Sequence, residues 1–213
     1  MTAVFLDLDG TLVDPKPGIA ACVIHALHEL GVPAPDPQTL GWVIGPPLIE
    51  SFATLGAPDP AAALSIYRAR YAAEGLFDAQ VYDGIPEVLA AIQAAGHRMY
   101  LATAKPHVYA RRITAHFGLA PYLEAEFGPE LDGTRNDKRE LLHHALGQRA
   151  IDPAKAVMIG DRAFDIAAAG SAGMRAIGVE WGYGARGELA DADRLCSRPA
   201  ELPGAIAGLL RTG

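Results

Sequence analysis

Ala3-Val4-Phe5-Leu6-Asp7-Leu8-Asp9-Gly10-Thr11 carries two signals in nine residues. Four apolar, β-prone residues run without a polar break, as in a buried strand. Two acids and a glycine follow at once, so the strand ends in a polar turn. The same form recurs later in the chain. Arg98 to Thr103 reads as a strand, Glu124 to Gly128 as a weaker one, and Arg175 to Val179 as another. Ala156-Val157-Met158-Ile159 is a strong strand that stops at Gly160-Asp161. Helical segments lie between them: Pro86 to Ala95, Pro106 to Phe117, Lys138 to Leu146 and Phe164 to Ala172, with a last helix near Ala200 to Leu210. Strands alternating with helices imply right-handed crossovers and a parallel sheet. The expected fold is therefore α/β, a Rossmann-like parallel sheet flanked by helices.

One segment breaks the alternation. From Pro15 to about Gln80 no convincing strand occurs. Ile19, Val23, Ile24, Leu27 and Leu30 have helical spacing, ended by Gly31 and Pro33. A Pro-rich linker, then Ile44-Gly45-Pro46-Pro47, and an Ala-rich helix near Ala61 to Glu74 follow. Residues 15–80 are thus expected to form a small all-helical cap inserted after the first strand, and residues 1–14 with 81–213 the α/β core.

Composition bounds the rest. The chain has 213 residues and a formal charge of −7, with 50% hydrophobic and 20% charged residues, which suits a folded protein and excludes intrinsic disorder. The acidic balance argues against nucleic acid as a partner. No apolar run is long enough to span a membrane, so no membrane partner is expected. The first residues lack a basic, long-apolar leader, so a cytoplasmic location is expected. Cys22 and Cys196 are too few for a disulfide framework and lack zinc spacing, so both are expected reduced and buried. Monomer and homodimer remain equally open.

Ligands of such sheets bind beyond the C-terminal strand ends. Asp7 and Asp9 end the first strand, Thr103 the next, and Asp161 a later one, with Asp165 one helical turn on. These ends share one sheet edge, so the carboxylates are expected to converge. Converging like charges repel and persist only with a cation or a shared proton. Carboxylates without His or Cys suit a hard cation, Mg²⁺ by preference.

Asp7-Leu8-Asp9-Gly10-Thr11 resembles the first motif, DxDGT, of the haloacid dehalogenase-like hydrolases. Thr103, in Leu101-Ala102-Thr103-Ala104-Lys105-Pro106, is similar to their second motif, and Lys138, in Arg135-Asn136-Asp137-Lys138, to their third. Gly160-Asp161-Arg162-Ala163-Phe164-Asp165 is similar to the fourth. Ile44-Gly45-Pro46-Pro47-Leu48, Asp132-Gly133-Thr134-Arg135 and Gly182-Tyr183-Gly184 extend the likeness to the phosphoglycolate phosphatase-like branch.

The resemblance implies a Mg²⁺-dependent phosphatase acting on small phosphorylated metabolites through an aspartyl-phosphate, with phosphoglycolate as a candidate substrate. It implies Asp7 as nucleophile and Asp9 as general acid, then base. The implied metal residues are Asp7, Asp9 (through its main-chain carbonyl), Asp161 and Asp165. The implied phosphate-binding residues are Gly10, Thr103, Ala104 and Lys138. Ala104 stands where members commonly have Asn, so only its main-chain N–H can serve. Cap residues Gly45, Pro46, Pro47 and Glu50 are the expected specificity group. Alternatives are a 5′-nucleotidase, a sugar-phosphate phosphatase or mutase of the same fold, or, in a different class, a non-catalytic regulatory protein.

Other signals are set aside. Gly182-Tyr183-Gly184-Ala185-Arg186-Gly187 matches GxGxxG, but the 26 residues after it do not supply the rest of a dinucleotide unit. It reads instead as a glycine-rich loop near the site rim. His25 with His28, and His143 with His144, lack the further ligands of a zinc site.

Overall fold

The computed structural model describes residues 2–210. The chain divides into two compact units, residues 1–13 with 81–213, and residues 14–80.

The larger unit is built on a six-stranded sheet. Its strands are β1 (Ala3–Leu6), β4 (Arg98–Ala102), β5 (Leu123–Phe127), β6 (Ala156–Gly160), β7 (Arg175–Val179) and β8 (Arg194–Cys196). They are ordered β5-β4-β1-β6-β7-β8, and every recorded pairing is parallel. This is the expected α/β architecture. The helices are α4 (Ile85–Ala94), α5 (His107–His116), α6 (Lys138–Arg149), α7 (Ala163–Ser171) and α8 (Leu202–Leu210).

Consecutive strand residues point to opposite faces, yet Val4, Phe5 and Leu6 are all fully buried. Both sheet faces are therefore covered, which is why these strands read as unbroken apolar runs. On one face Phe5 stacks on Tyr100 with centroids 5.1 Å apart, and Met158, Leu142 and Ile166 join the same cluster. Register aligns Leu6 with Leu101 of β4 and Ile159 of β6. The residues just past those positions, Asp7, Thr103 and Asp161, thereby come to one edge.

The smaller unit holds α1 (Lys16–Glu29), α2 (Leu48–Thr54) and α3 (Pro60–Ala73), with 3₁₀ turns over Pro37–Val43 and Gly75–Phe77. Its core stacks Tyr67 on Tyr71, centroids 5.3 Å apart, beside Phe52, with Val23 and Leu27 of α1 fully buried. At Gly18, near the start of α1, a side chain would collide with the Gly75 carbonyl oxygen. Two-residue strands β2 (Val13–Asp14) and β3 (Gln80–Val81) pair with each other, and the boundary between the units falls within them.

Besides β2 and β3, three further elements depart from the sequence reading. α2 follows Pro46-Pro47 directly, in a stretch to which the sequence assigns no helix. It starts directly after Pro47, whose carbonyl accepts from Glu50 N–H at 3.0 Å. β8 is three residues long and was not foreseen. Thr103 falls just beyond β4 instead of within it. Both cysteines are free and buried, and burial pushes each thiol up to about 11. Among the described residues, no helix is long and apolar enough to cross a membrane.

Candidate active site

The turn after β1 is wound tightly. The Leu8 carbonyl accepts from the N–H groups of Leu12 and Val13 at 2.9 and 3.0 Å, and Gly10 N–H donates to Val13 O at 2.8 Å. Gly10 has φ +85°, and a Cβ there would stand 2.7 Å from the Asp161 carboxyl carbon. Only glycine meets both demands. This winding sets Asp7 and Asp9 at the sheet edge, Asp7 anchored by its N–H to Ile159 O at 2.9 Å.

Lys138 lies at the first position of α6. Asp137 caps that helix by accepting from Arg139 N–H at 2.7 Å. The Lys138 ammonium is buried and joins two acids: it donates to Asp7 Oδ1 at 2.8 Å and pairs with Asp165 Oδ1. Asp165 is fully buried in the first turn of α7, where its other oxygen accepts from Arg162 N–H at 3.0 Å. It therefore closes the helix start and faces Lys138 at once. Asp161, just past β6, accepts from Tyr183 N–H at 2.8 Å and Thr11 Oγ1 at 3.3 Å.

Gly182 and Gly184 belong to the loop after β7. A Cβ at either would fall within the van der Waals envelope of Asp161, on its side chain for Gly182 and on its carbonyl for Gly184. The loop read from sequence as lying near the site thus lies directly on Asp161, and its glycines permit that approach.

Burial governs the charge states. It pushes the Asp161 carboxyl up to about 6, with Asp7 adding to the shift. It raises Asp165 as well, against the pull of Lys138. Burial opposes the Lys138 ammonium, but Asp165 and Asp7 outweigh it and hold its pKa above the ordinary lysine value. Asp9 is raised by burial despite the lowering influence of Lys105.

Asp7, Asp161 and Asp165 can each turn one oxygen to within 4.8 Å of the others. Three carboxylates against one ammonium leave uncompensated negative charge in a buried place. An all-oxygen donor set of that charge fits a hard divalent cation. The Asp9 carboxylate is not part of this group; it turns to Lys105.

Thr103 is buried beside these residues, its N–H donating to Phe127 O at 3.0 Å. Ala104 follows it in the loop. Gly45, Pro46, Pro47 and Glu50 all lie in the smaller unit. Gly45 has φ +104°, Pro47 immediately precedes α2, and Glu50 sits exposed in the first turn of that helix. Three participants escaped the sequence reading. Lys105 pairs with Asp9, Thr11 touches Asp161, and Glu188 pairs with Arg162 at 3.1 Å.

The chain matches the haloacid dehalogenase-like hydrolase family over residues 4–179. A protein of Pseudomonas aeruginosa named 5′-nucleotidase is 43% identical over 87% of this chain and 86% of its own length. A plasmid phosphoglycolate phosphatase of Cupriavidus necator is 34% identical over 95% of this chain and 91% of its own. A solved structure of Mycobacterium tuberculosis Protein Tyrosine Kinase A superposes with a TM-score of 0.85 at 35% identity, covering 96% of this chain and 97% of that one. The first two of these relatives support a phosphatase hydrolase activity. By family match, identity and sheet topology together, this chain belongs to the haloacid dehalogenase-like hydrolases.

Proposed function

We propose that the protein hydrolyses small phosphomonoesters with the help of Mg²⁺, through an aspartyl-phosphate on Asp7. The observation that carries this reading is the buried group Asp7, Lys138, Asp165 and Asp161 at one sheet edge. A carboxylate nucleophile needs no separate base to activate it, and the Lys138 ammonium holds this one in place. In the first half, an Asp7 oxygen attacks phosphorus and the phosphorus–oxygen ester bond breaks. The departing oxygen takes a proton from Asp9. In the second half, Asp9 takes a proton from water as the water attacks the phosphorus of the acyl phosphate. The P–O bond to Asp7 breaks, freeing inorganic phosphate and restoring both acids.

Lys138 holds and orients Asp7, and its charge offsets that of the phosphoryl oxygens. The Thr103 hydroxyl and the Ala104 main-chain N–H bind those oxygens, whereas the Gly10 N–H, expected to join them, is engaged by Val13 O at 2.8 Å and instead shapes the turn. Asp7, Asp161, Asp165 and the Asp9 carbonyl would hold the cation, which screens the attacking carboxylate and neutralises charge on the transferring group. The residues of the larger unit address only the phosphoryl group and the ester oxygen that leaves it. We therefore assign substrate selection to residues 14–80, with Gly45, Pro46, Pro47 and Glu50 as the group concerned. Phosphoglycolate and 5′-nucleotides are two of the substrate classes that the relatives' names support.

The test is a panel of phosphorylated metabolites assayed with the wild type and Asp7→Asn. Phosphate release that needs Mg²⁺, stops with EDTA and disappears in a folded Asp7→Asn protein is expected. Retained turnover in Asp7→Asn sinks the nucleophile assignment, and turnover in EDTA sinks the metal assignment.

A further inference from the structure

Lys105 is a buried lysine in the same cluster as Asp9, and the reaction sequence above gives it no task. Its ammonium pairs with Asp9 Oδ2, the two side chains being 5% and 13% exposed. The other oxygen, Asp9 Oδ1, is buried and has no hydrogen-bond partner among the described residues. One carboxyl oxygen is thus held and the second is left open.

The holder is itself held. Lys105 N–H donates to Thr103 Oγ1 at 3.2 Å, which closes the loop after β4. Gly128 packs on the Lys105 carbonyl so closely that a Cβ there would come within 2.6 Å of it. The next turn is tied by His107 N–H to Pro129 O at 2.8 Å. A lysine on so constrained a backbone can fix the rotamer of the acid it grips. The work is also divided between the two lysines. Lys138 serves Asp7 and Asp165, and Lys105 serves Asp9.

We propose that Lys105 is the positioning residue of Asp9, gripping Oδ2 so that Oδ1 faces the departing ester oxygen. The proposal rests on the reading of Asp9 as proton donor, and its test separates the two. Leaving groups differ in their need for that proton. An alkoxide cannot depart without one, whereas 4-nitrophenolate can. A residue that acts through Asp9 must therefore matter for alkyl phosphates and matter little for 4-nitrophenyl phosphate. A residue that binds phosphate or supports the fold must affect both alike.

The experiment is single-turnover release of the leaving group by Mg²⁺-loaded enzyme in excess, which isolates the first half of the reaction. The substrates are 4-nitrophenyl phosphate and the alkyl phosphate that the wild type turns over fastest. Lys105→Met is expected to slow alkyl release by about 10²-fold, the lower range of general-acid contributions. Release of 4-nitrophenolate should change by less than about 3-fold, and the half-saturating concentration should barely move. Lys105→Arg, which can still grip a carboxylate, should recover most of the loss. Asp9→Asn combined with Lys105→Met should be no slower than Asp9→Asn alone. Equal losses on both substrates, a change confined to half-saturation, or additive losses in the double variant would overturn the proposal. Lys105→Gln is run in parallel with circular dichroism, and unfolding of both variants also overturns it. Full alkyl activity in Asp9→Asn would instead refute the role of Asp9 itself.

Discussion

Lys138 shows how one buried residue serves both stability and the site. Its ammonium is the shared partner of Asp7 and Asp165, and all three are buried. Removing one member of a buried ion pair leaves an uncompensated charge, at a cost of about 3–5 kcal/mol. Lys138→Ala is accordingly expected to lower metal-free stability by about 3 kcal/mol or more, read by urea unfolding. Loss of phosphatase turnover should accompany it. A change below about 1 kcal/mol would mean that the three groups do not act as one buried unit. At this scale the sequence was a good guide wherever a residue ends a strand, because strand ends in a parallel sheet must share an edge. Lys105 was not legible. Its partner Asp9 lies 96 residues earlier, and nothing local distinguishes a lysine in a turn from one inside a site.

Helix α7 concentrates several demands in its first turn. Asp165 accepts from Arg162 N–H at 3.0 Å, as a helix cap does, and its second oxygen meets Lys138. Two substitutions separate these tasks. Asp165→Asn keeps an oxygen for the cap but removes the charge, whereas Asp165→Ala removes both. Thermal unfolding of the two metal-free variants should differ by about 1 kcal/mol, with the alanine variant less stable. Identical stabilities would show that the cap contributes nothing here. At the scale of elements, the buried strands were plain in the sequence because each is an apolar run between polar ends. The short elements were not. α2 is seven residues long and follows two prolines and a glycine, signals that elsewhere mark a loop. β8 has three residues, Arg194, Leu195 and Cys196, too few for any period to register. Pairing with β7 defines it.

The molecule carries a formal charge of −7, and part of that acid is concentrated in one buried group. Asp161 is raised from 3.8 to about 6, and Asp165 is raised too, both chiefly by burial. In the metal-free protein the folded state therefore binds more protons than the unfolded state between about pH 4 and pH 6 or above. Stability must fall as pH rises through that window, because the unfolded chain ionises these acids at less cost. Without metal, the melting temperature is expected to drop between pH 5 and pH 7.5, and saturating Mg²⁺ should shrink the drop. Scanning calorimetry with and without the cation checks both parts. A metal-free melting temperature that rises across the window would exclude this cluster as the dominant titrating group.

The order of apolar runs and helical segments was enough to imply a parallel α/β sheet and its flanking helices. Each of these follows from local periodicity or from the topology that such periodicity permits. Four features required the folded chain: the grip of Lys105 on Asp9, the doubled task of Asp165, the seating of Gly182 and Gly184 on Asp161, and the pairing of β8. Each joins residues through approach in space or through the reach of a side chain, and neither leaves a period in the sequence.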